Sequence, residues 1–229
     1  MSERIEGRNP ITEAIKSGRG IEKILIEKGS HGLQNIVELA REKGITVQFA
    51  ENIRAKQGIA AVVAAHEYAD VSAMIDTASF VVVLDGICDP HNLGSILRTA
   101  NAAGVDGIII PKRNAVGLTE TVAATSAGAV EYTPVAKVSN ITALLDDLKE
   151  RGFWIYGAAA EEDSKICYDE KFDGKVALVI GSEGDGISRL VKTKCDFLVK
   201  IPMFGEIESL NASVAAGILM YEVVRQRSI

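Results

Sequence analysis

Apolar residues recur along this chain with two different rhythms. Over the first third they mark short, separate elements: a helix over "NPITEAIKSG" stopped at Gly18, a strand at "IEKILIE", and a helix over "GLQNIVELAREKG" stopped at Gly44. Strands at "ITVQF" and "GIAAVVAA" follow. Beyond Ser79 the strands turn into unbroken Val/Ile/Leu runs, "FVVVLD", "GIIIP" and "VALVIG", the pattern of strands covered on both faces of a parallel sheet. "EYTPVAKV", "FWIYGAA" and "DFLVKI" extend that set, with helices around "TETVAATSAG", at "NITALLDDLKERG" and from Asn211 onward. Within "DPHNLGSILRTANAAG", Leu93, Ile96, Leu97 and Ala100 follow the i, i+3, i+4, i+7 spacing of one buried helical stripe. Arg98 lies off that stripe.

The pattern predicts an α/β protein of two unequal domains: a small one over 1–68, a linker over 69–78 and a parallel-sheet domain over 79–229. Ligands of parallel sheets bind beyond the carboxyl ends of the strands, so the loops after Leu84, Ile180 and Ile201 are where chemistry is expected. Composition narrows the class. Of 229 residues, 47% are hydrophobic and 24% charged, and no apolar run approaches the ~20 residues that span a bilayer. The start, "MSERIEGRNP", lacks the basic and apolar stretches of a signal peptide, which places the protein in the cytoplasm. Cys88, Cys167 and Cys195, with His31, His66 and His91, form no ligand spacing, so no metal is expected. A formal charge of −6 excludes nonspecific coating of nucleic acid, which rests on neutralising many phosphates. Any RNA contact must come from local patches such as Arg98, Lys112 with Arg113, or Arg189 to Lys194.

Each of the three loops carries candidate chemistry beside an ordinary role. Asn92 opens the first helix and suits an N-cap. A long Arg98 side chain leaning back toward the positive helix end would make a phosphate site, or it forms a surface ion pair. "VIGSEGDGISRL" sets Gly181, Gly184 and Gly186 around Glu183, a turn whose backbone can approach a ligand closely; Glu183 is a site acid or a solvated one. In "IPMFGEIESLNASVAAGILMYEV", Ser209 or Asn211 caps the last helix. That helix is apolar on nearly every side from Ala212 to Met220, which calls for cover on two sides and predicts a homodimer.

"DGICDPHNLGSILRTANAAGV", "LVIGSEGDGISRL" and "IPMFGEIESLNASVAAGI" resemble the three ordered motifs of the SpoU (TrmH) family of RNA 2′-O-ribose methyltransferases, within the SPOUT superfamily. "DPHNLG" and "VRQRS" are most similar to the branch that methylates a guanosine of 23S ribosomal RNA. "EGRNPITEAI" and "QGIAAVV" resemble that branch's RNA-binding domain, which is like ribosomal protein L30e. The resemblance implies an S-adenosyl-L-methionine-dependent enzyme with a C-terminal trefoil knot, acting on RNA and not DNA, dimeric through its catalytic domain and using no metal. It implies cofactor contacts at Gly181, Ile201 and Leu210, with Pro202 and Met203 beside them and Thr125, Ser126 and Gly128 from "TSAGA". The implied catalytic set is Asn92, Arg98, Glu183, Ser209 and Asn211, with Arg98 helping to deprotonate the ribose or holding the phosphate. "FAENIRAKQGIAA" is shorter than the branch's corresponding loop, and Ala212 stands where Val is commoner. A tRNA enzyme and a silent RNA-binding protein on the same fold are the alternatives. A Rossmann oxidoreductase is disfavoured because "DGICDPHNLG" lacks its glycines.

Overall fold

The computed structural model describes residues 2–206 and 209–227. Ile207 and Glu208, in the third loop, lie outside the described residues.

The first sheet is built from β1 (Ser2–Glu6), β2 (Ile21–Glu27), β3 (Val47–Ala50) and β4 (Ile59–Ala64), in the order β1-β4-β2-β3. β4 runs antiparallel to both neighbours and β2 pairs parallel with β3. α1 (Arg8–Ser17) ends where expected, because Gly18 adopts φ +79 and its amide reaches back to Ala14 and Ile15. α2 (Gln34–Glu42) follows, and buried Ile11, Ile15, Ile24, Ile36 and Ile59 fill the space between helices and sheet. β1 had no hydrophobic signature. Its charges, Glu3, Arg4 and Glu6, sit on an edge strand, where polar side chains block further pairing.

The stretch expected as linker is structured. Asp70 accepts from the Ala73 amide and caps α3 (Val71–Thr77), whose Met74 and Ile75 are buried. Ala69 bridges Ala136 of the large sheet.

That sheet contains β5 (Phe80–Asp85), β6 (Gly107–Pro111), β7 (Val135–Val138), β8 (Phe153–Ala158), β9 (Lys165–Ile166), β10 (Lys175–Gly181) and β11 (Phe197–Lys200). The order is β7-β6-β5-β10-β8-β11-β9 and every recorded pair is parallel. β5, β6 and β10 are buried on both faces, as their apolar runs require. α4 (Pro90–Ala102), α5 (Glu120–Thr125), α6 (Ile141–Glu150), α7 (Arg189–Lys192) and α8 (Ala212–Arg227) complete the domain. Leu93, Ile96, Leu97 and Ala100 are all fully buried.

Two expectations are corrected by left-handed backbone. α5 stops at Thr125 because Ala127 (φ +52) and Gly128 (φ +96) leave the helical region. "EYTPVAKV" does not start as a strand: Tyr132 and Thr133 donate to the Ala129 carbonyl in a tight turn, and pairing begins at Val135.

The same turn docks the small domain. Arg19 reaches from the end of α1 to Glu3, to Glu131 (2.9 Å), to His66 Nε2 (2.7 Å) and to the Ala64 carbonyl. The Arg19 and Glu131 side chains are 7% and 6% exposed. Tyr132 donates to Glu13 at 2.8 Å.

Candidate active site

The three loops meet at the carboxyl ends of β5, β10 and β11. After β5, Asp89 accepts from the His91 amide and Pro90 takes the first helical position, the favoured start for a helix. Asn92 is therefore not the cap that its position suggested. It lies inside α4, 6% exposed, with its side chain turned to the second loop.

After β10, the segment Ser182–Gly186 folds back over the strand end. Ser182 and Gly186 exchange backbone hydrogen bonds at 3.0 and 3.1 Å. A Cβ on Gly181 would stand 2.0 Å from the Gly186 carbonyl carbon, so only glycine permits this turn. Gly184 (φ +90) and Gly186 (φ +64) complete it, and Asp85 at the end of β5 accepts from the Ser188 amide at 2.8 Å. The turn presents Glu183.

After β11, the chain crosses to α8. Asn211 caps that helix, its Oδ1 accepting from Ser213 N (2.9 Å), Ser213 Oγ (2.6 Å) and Val214 N (3.3 Å). Its amide group points the other way and donates to Asn92 Oδ1 at 2.9 Å and to Glu183 Oε1. Asn92 Nδ2 donates to the same Glu183 oxygen at 3.0 Å, and the Ala212 amide approaches it at 3.4 Å. One residue from each loop thus enters a single network, in which a carboxylate oxygen accepts from two side-chain amides and a helix end. Hydrogen bonds to an ionised acceptor are the stronger kind, and this one fixes the mutual position of three chain segments far apart in sequence.

Arg98 and Ser209 remain outside that network. Both are exposed, and their side chains make no hydrogen bond or ion pair with any described residue. The surface ion pair considered for Arg98 is absent among the described residues. Ile201, Pro202 and Leu210 are half-buried, Met203 is more open, and Phe204 is 95% exposed. Of the "TSAGA" turn, Ser126 is buried with its hydroxyl on the Ala123 carbonyl, and Gly128 backs onto Glu13 of the small domain. Thr125 lies elsewhere. It packs on Gly94, and its Oγ1 is 3.3 Å from His91 Nδ1 at the mouth of α4. Asp89 and Ser213 were overlooked in the sequence, although the Asp-Pro pair was the signal for where α4 begins.

Residues 79–221 match the model of the SpoU rRNA methylase family, and residues 4–69 match the model for RNA 2′-O ribose methyltransferase substrate binding. A Staphylococcus haemolyticus protein assigned by name to the TrmH family of tRNA/rRNA methyltransferases is 49% identical, covering 97% of this chain and 95% of its own length. The crystal structure of the SpoU methyltransferase AviRb from Streptomyces viridochromogenes, in complex with AdoMet, is similar with a TM-score of 0.86 and 27% identity. That match covers 99% of this chain and 91% of AviRb. The TrmH/SpoU tRNA modifying enzyme of A. aeolicus is similar with a TM-score of 0.61 and 28% identity, over 69% of this chain and 82% of its own.

Proposed function

The chain belongs to the SpoU (TrmH) family of S-adenosylmethionine-dependent RNA methyltransferases, and from that premise we propose that it methylates a ribose 2′-hydroxyl, that of a guanosine in 23S ribosomal RNA. The observation that carries the reading is the Asn92, Glu183 and Asn211 network, which ties all three motif loops into one site. Ribosomal RNA is favoured over tRNA by layout. The chain matches an rRNA methylase family model with a substrate-binding model ahead of it, whereas the tRNA modifying enzyme is matched over 69% of this chain.

The residues present fit the cofactor. Gly181 lets the second loop fold back over the strand end, and the backbone groups of half-buried Ile201 and Leu210 have no partner among the described residues. Backbone groups removed from water seek partners, so Ile201 and Leu210 would hold the adenosine end beside Pro202 and Met203. Thr125, at the end of α5, borders the site beside the mouth of α4, and Ser126 and Gly128 shape the turn that follows it. S-adenosylmethionine supplies an electrophilic methyl group on a sulfonium.

This chain's own task is positioning, which is worth several powers of ten when a nucleophile must lie in line with a small electrophilic carbon. Arg98, unpaired among the described residues, grips the phosphate next to the target ribose and stabilises developing charge on oxygen. Ser209, on the rim of the third loop, faces the ribose. The acceptor is RNA and not DNA, because only RNA carries the 2′-hydroxyl. Segment β10 to α8 forms a trefoil knot in this reading. Its support is the strand order, with β10 between β5 and β8, β11 beyond β8, and α8 returning to α4 and β10. The enzyme works in the cytoplasm as a homodimer through the catalytic domain.

The test is incubation with radiolabelled S-adenosylmethionine and either ribosomal RNA or tRNA. Label enters 23S RNA, and Arg98→Ala lowers the rate by about 10²–10³ with cofactor affinity unchanged. Label in tRNA alone would reassign the substrate, and none in any RNA would remove the activity.

A further inference from the structure

Nothing described so far accepts the proton that the 2′-hydroxyl must lose. The Arg98 guanidinium stays protonated in water. Asn92 and Asn211 are amides, and Glu183 Oε1 is taken by both of them and by the Ala212 amide. Glu183 Oε2 has no partner among the described residues, and a second base, an imidazole, stands beside this network. His91 is the second residue of α4, next to Asn92, and is exposed. Its Nδ1 lies 3.3 Å from Thr125 Oγ1. Thr125 is itself held tightly, because α4 has Gly94 below it: a Cβ there would come within 2.6 Å of the Thr125 Cβ. One ring nitrogen is therefore tethered, while Nε2 has no partner among the described residues. When Nδ1–H donates to the threonine oxygen, Nε2 carries the lone pair.

The helix puts this imidazole on the face that holds Arg98. The two residues are seven apart, within about 20° of the same direction, with Ser95 between them. The axial rise is roughly 10 Å, and an arginine side chain leaning toward the N-terminus closes much of it. A phosphate held by Arg98 leaves its neighbouring ribose over His91.

We propose that His91 is the catalytic residue that takes the 2′-hydroxyl proton, with Thr125 fixing its tautomer. The inference rests on the ribose-methylation reading above. As the 2′-oxygen forms its bond to the methyl carbon, the carbon–sulfur bond breaks and its electron pair stays on sulfur, leaving a neutral thioether. The proton passes to Nε2, and the resulting imidazolium later returns it to water. The charged and titratable groups around His91 are few. Its own helix and the loop before it bring Arg98, Asp89 and Cys88, and the β10 loop brings Glu183 and Asp185. α5 brings Glu120, which accepts from the Arg4 amide; the turn after it brings Glu131, engaged by Arg19; and α8 brings none before Tyr221.

Two measurements on the full-length protein test this. In single-turnover transfer at saturating cofactor and RNA, the wild type shows a rate that rises with pH. His91→Ala is slower by about 10²-fold or more, has lost that limb, and is rescued in proportion to added imidazole. Thr125→Val lowers the rate with KM unchanged, and Thr125→Ser restores it. Binding gives a readout without turnover: replacing the target ribose by 2′-deoxyribose weakens RNA binding to the wild type severalfold, but not to His91→Ala. A His91→Ala enzyme that keeps the pH limb and the deoxyribose penalty overturns the proposal and points to Glu183 Oε2 as the base. A wild type that transfers no methyl to any RNA overturns the ribose-methylation reading itself.

Discussion

Asn92 is buried because the Asp89 cap, three residues ahead of it, starts α4 at Pro90, which frees the Asn92 amide to meet Glu183 and Asn211. The importance of an amide at this point, rather than any polar group, is testable. Asn92→Asp would set a second carboxylate against Glu183, and two adjacent carboxylates cannot both ionise without cost. The new acid has its pKa raised in the folded state, so its stability is intact below the unfolded value and is lost as pH rises. Thermal melts should show Asn92→Asp near wild type at pH 4 and destabilised by about 2 kcal/mol or more at pH 7; equal melting points at both values would contradict the network. The motif residues were legible in sequence, since Asn92, Glu183 and Asn211 stood in recognisable loops. Their mutual contact was not, because they lie 91 and 28 residues apart and no periodicity reports such a meeting. Arg98 was legible as a residue that packing did not need, and it is exposed and unpaired among the described residues.

α4 works through both flanks. Its buried stripe holds it on the sheet, and Gly94 admits Thr125 of α5 close to its axis. Gly94→Ala should raise helix propensity by up to about 1 kcal/mol, yet it must push Thr125 away from His91. The expected result is a folded protein with slower methyl transfer, measured by circular dichroism and turnover together; undiminished turnover would show that this contact is idle. Strands and long helices were readable here because burial on both faces and a single apolar stripe leave distinct patterns. The stop of α5 and the late start of β7 were not, since they depend on left-handed backbone at Ala127 and Gly128, and alanine announces no such conformation. β1 was missed because an edge strand with one covered face can carry charge.

At the scale of the molecule, the domains are joined by a buried charge cluster. His66, between Arg19 and Glu131, is held neutral: burial first, and the Arg19 charge second, push its pKa down to about 4. A lowered histidine pKa contributes stability that is present above the unfolded value near 6.5 and lost as pH falls through 4. Burial raises the Glu131 carboxyl despite Arg19, which acts in the opposite sense and reduces the net effect. The melting temperature should therefore drop between pH 6.5 and 4 in the wild type and drop less in His66→Gln, where no ring can charge. A second expectation concerns α8, whose outer face leaves Val214 and Tyr221 about half exposed on one stripe with Ile218. Val214→Glu combined with Tyr221→Glu should convert a dimer to a monomer in sedimentation. A wild type that sediments as a monomer at micromolar concentration would contradict the covered face. The apolar girdle of this helix was evident in the sequence, whereas the docking of the small domain was not, because Arg19, His66 and Glu131 have no common motif.

The most direct test of ribose methylation is alkaline hydrolysis of 23S RNA after reaction with the enzyme. A methylated 2′-oxygen cannot attack the adjoining phosphate, so one band should be missing from the cleavage ladder, immediately 3′ to a single guanosine, and present when Arg98→Ala is used. Stable incorporation of methyl label with an uninterrupted ladder would place the methyl group on a base and contradict it.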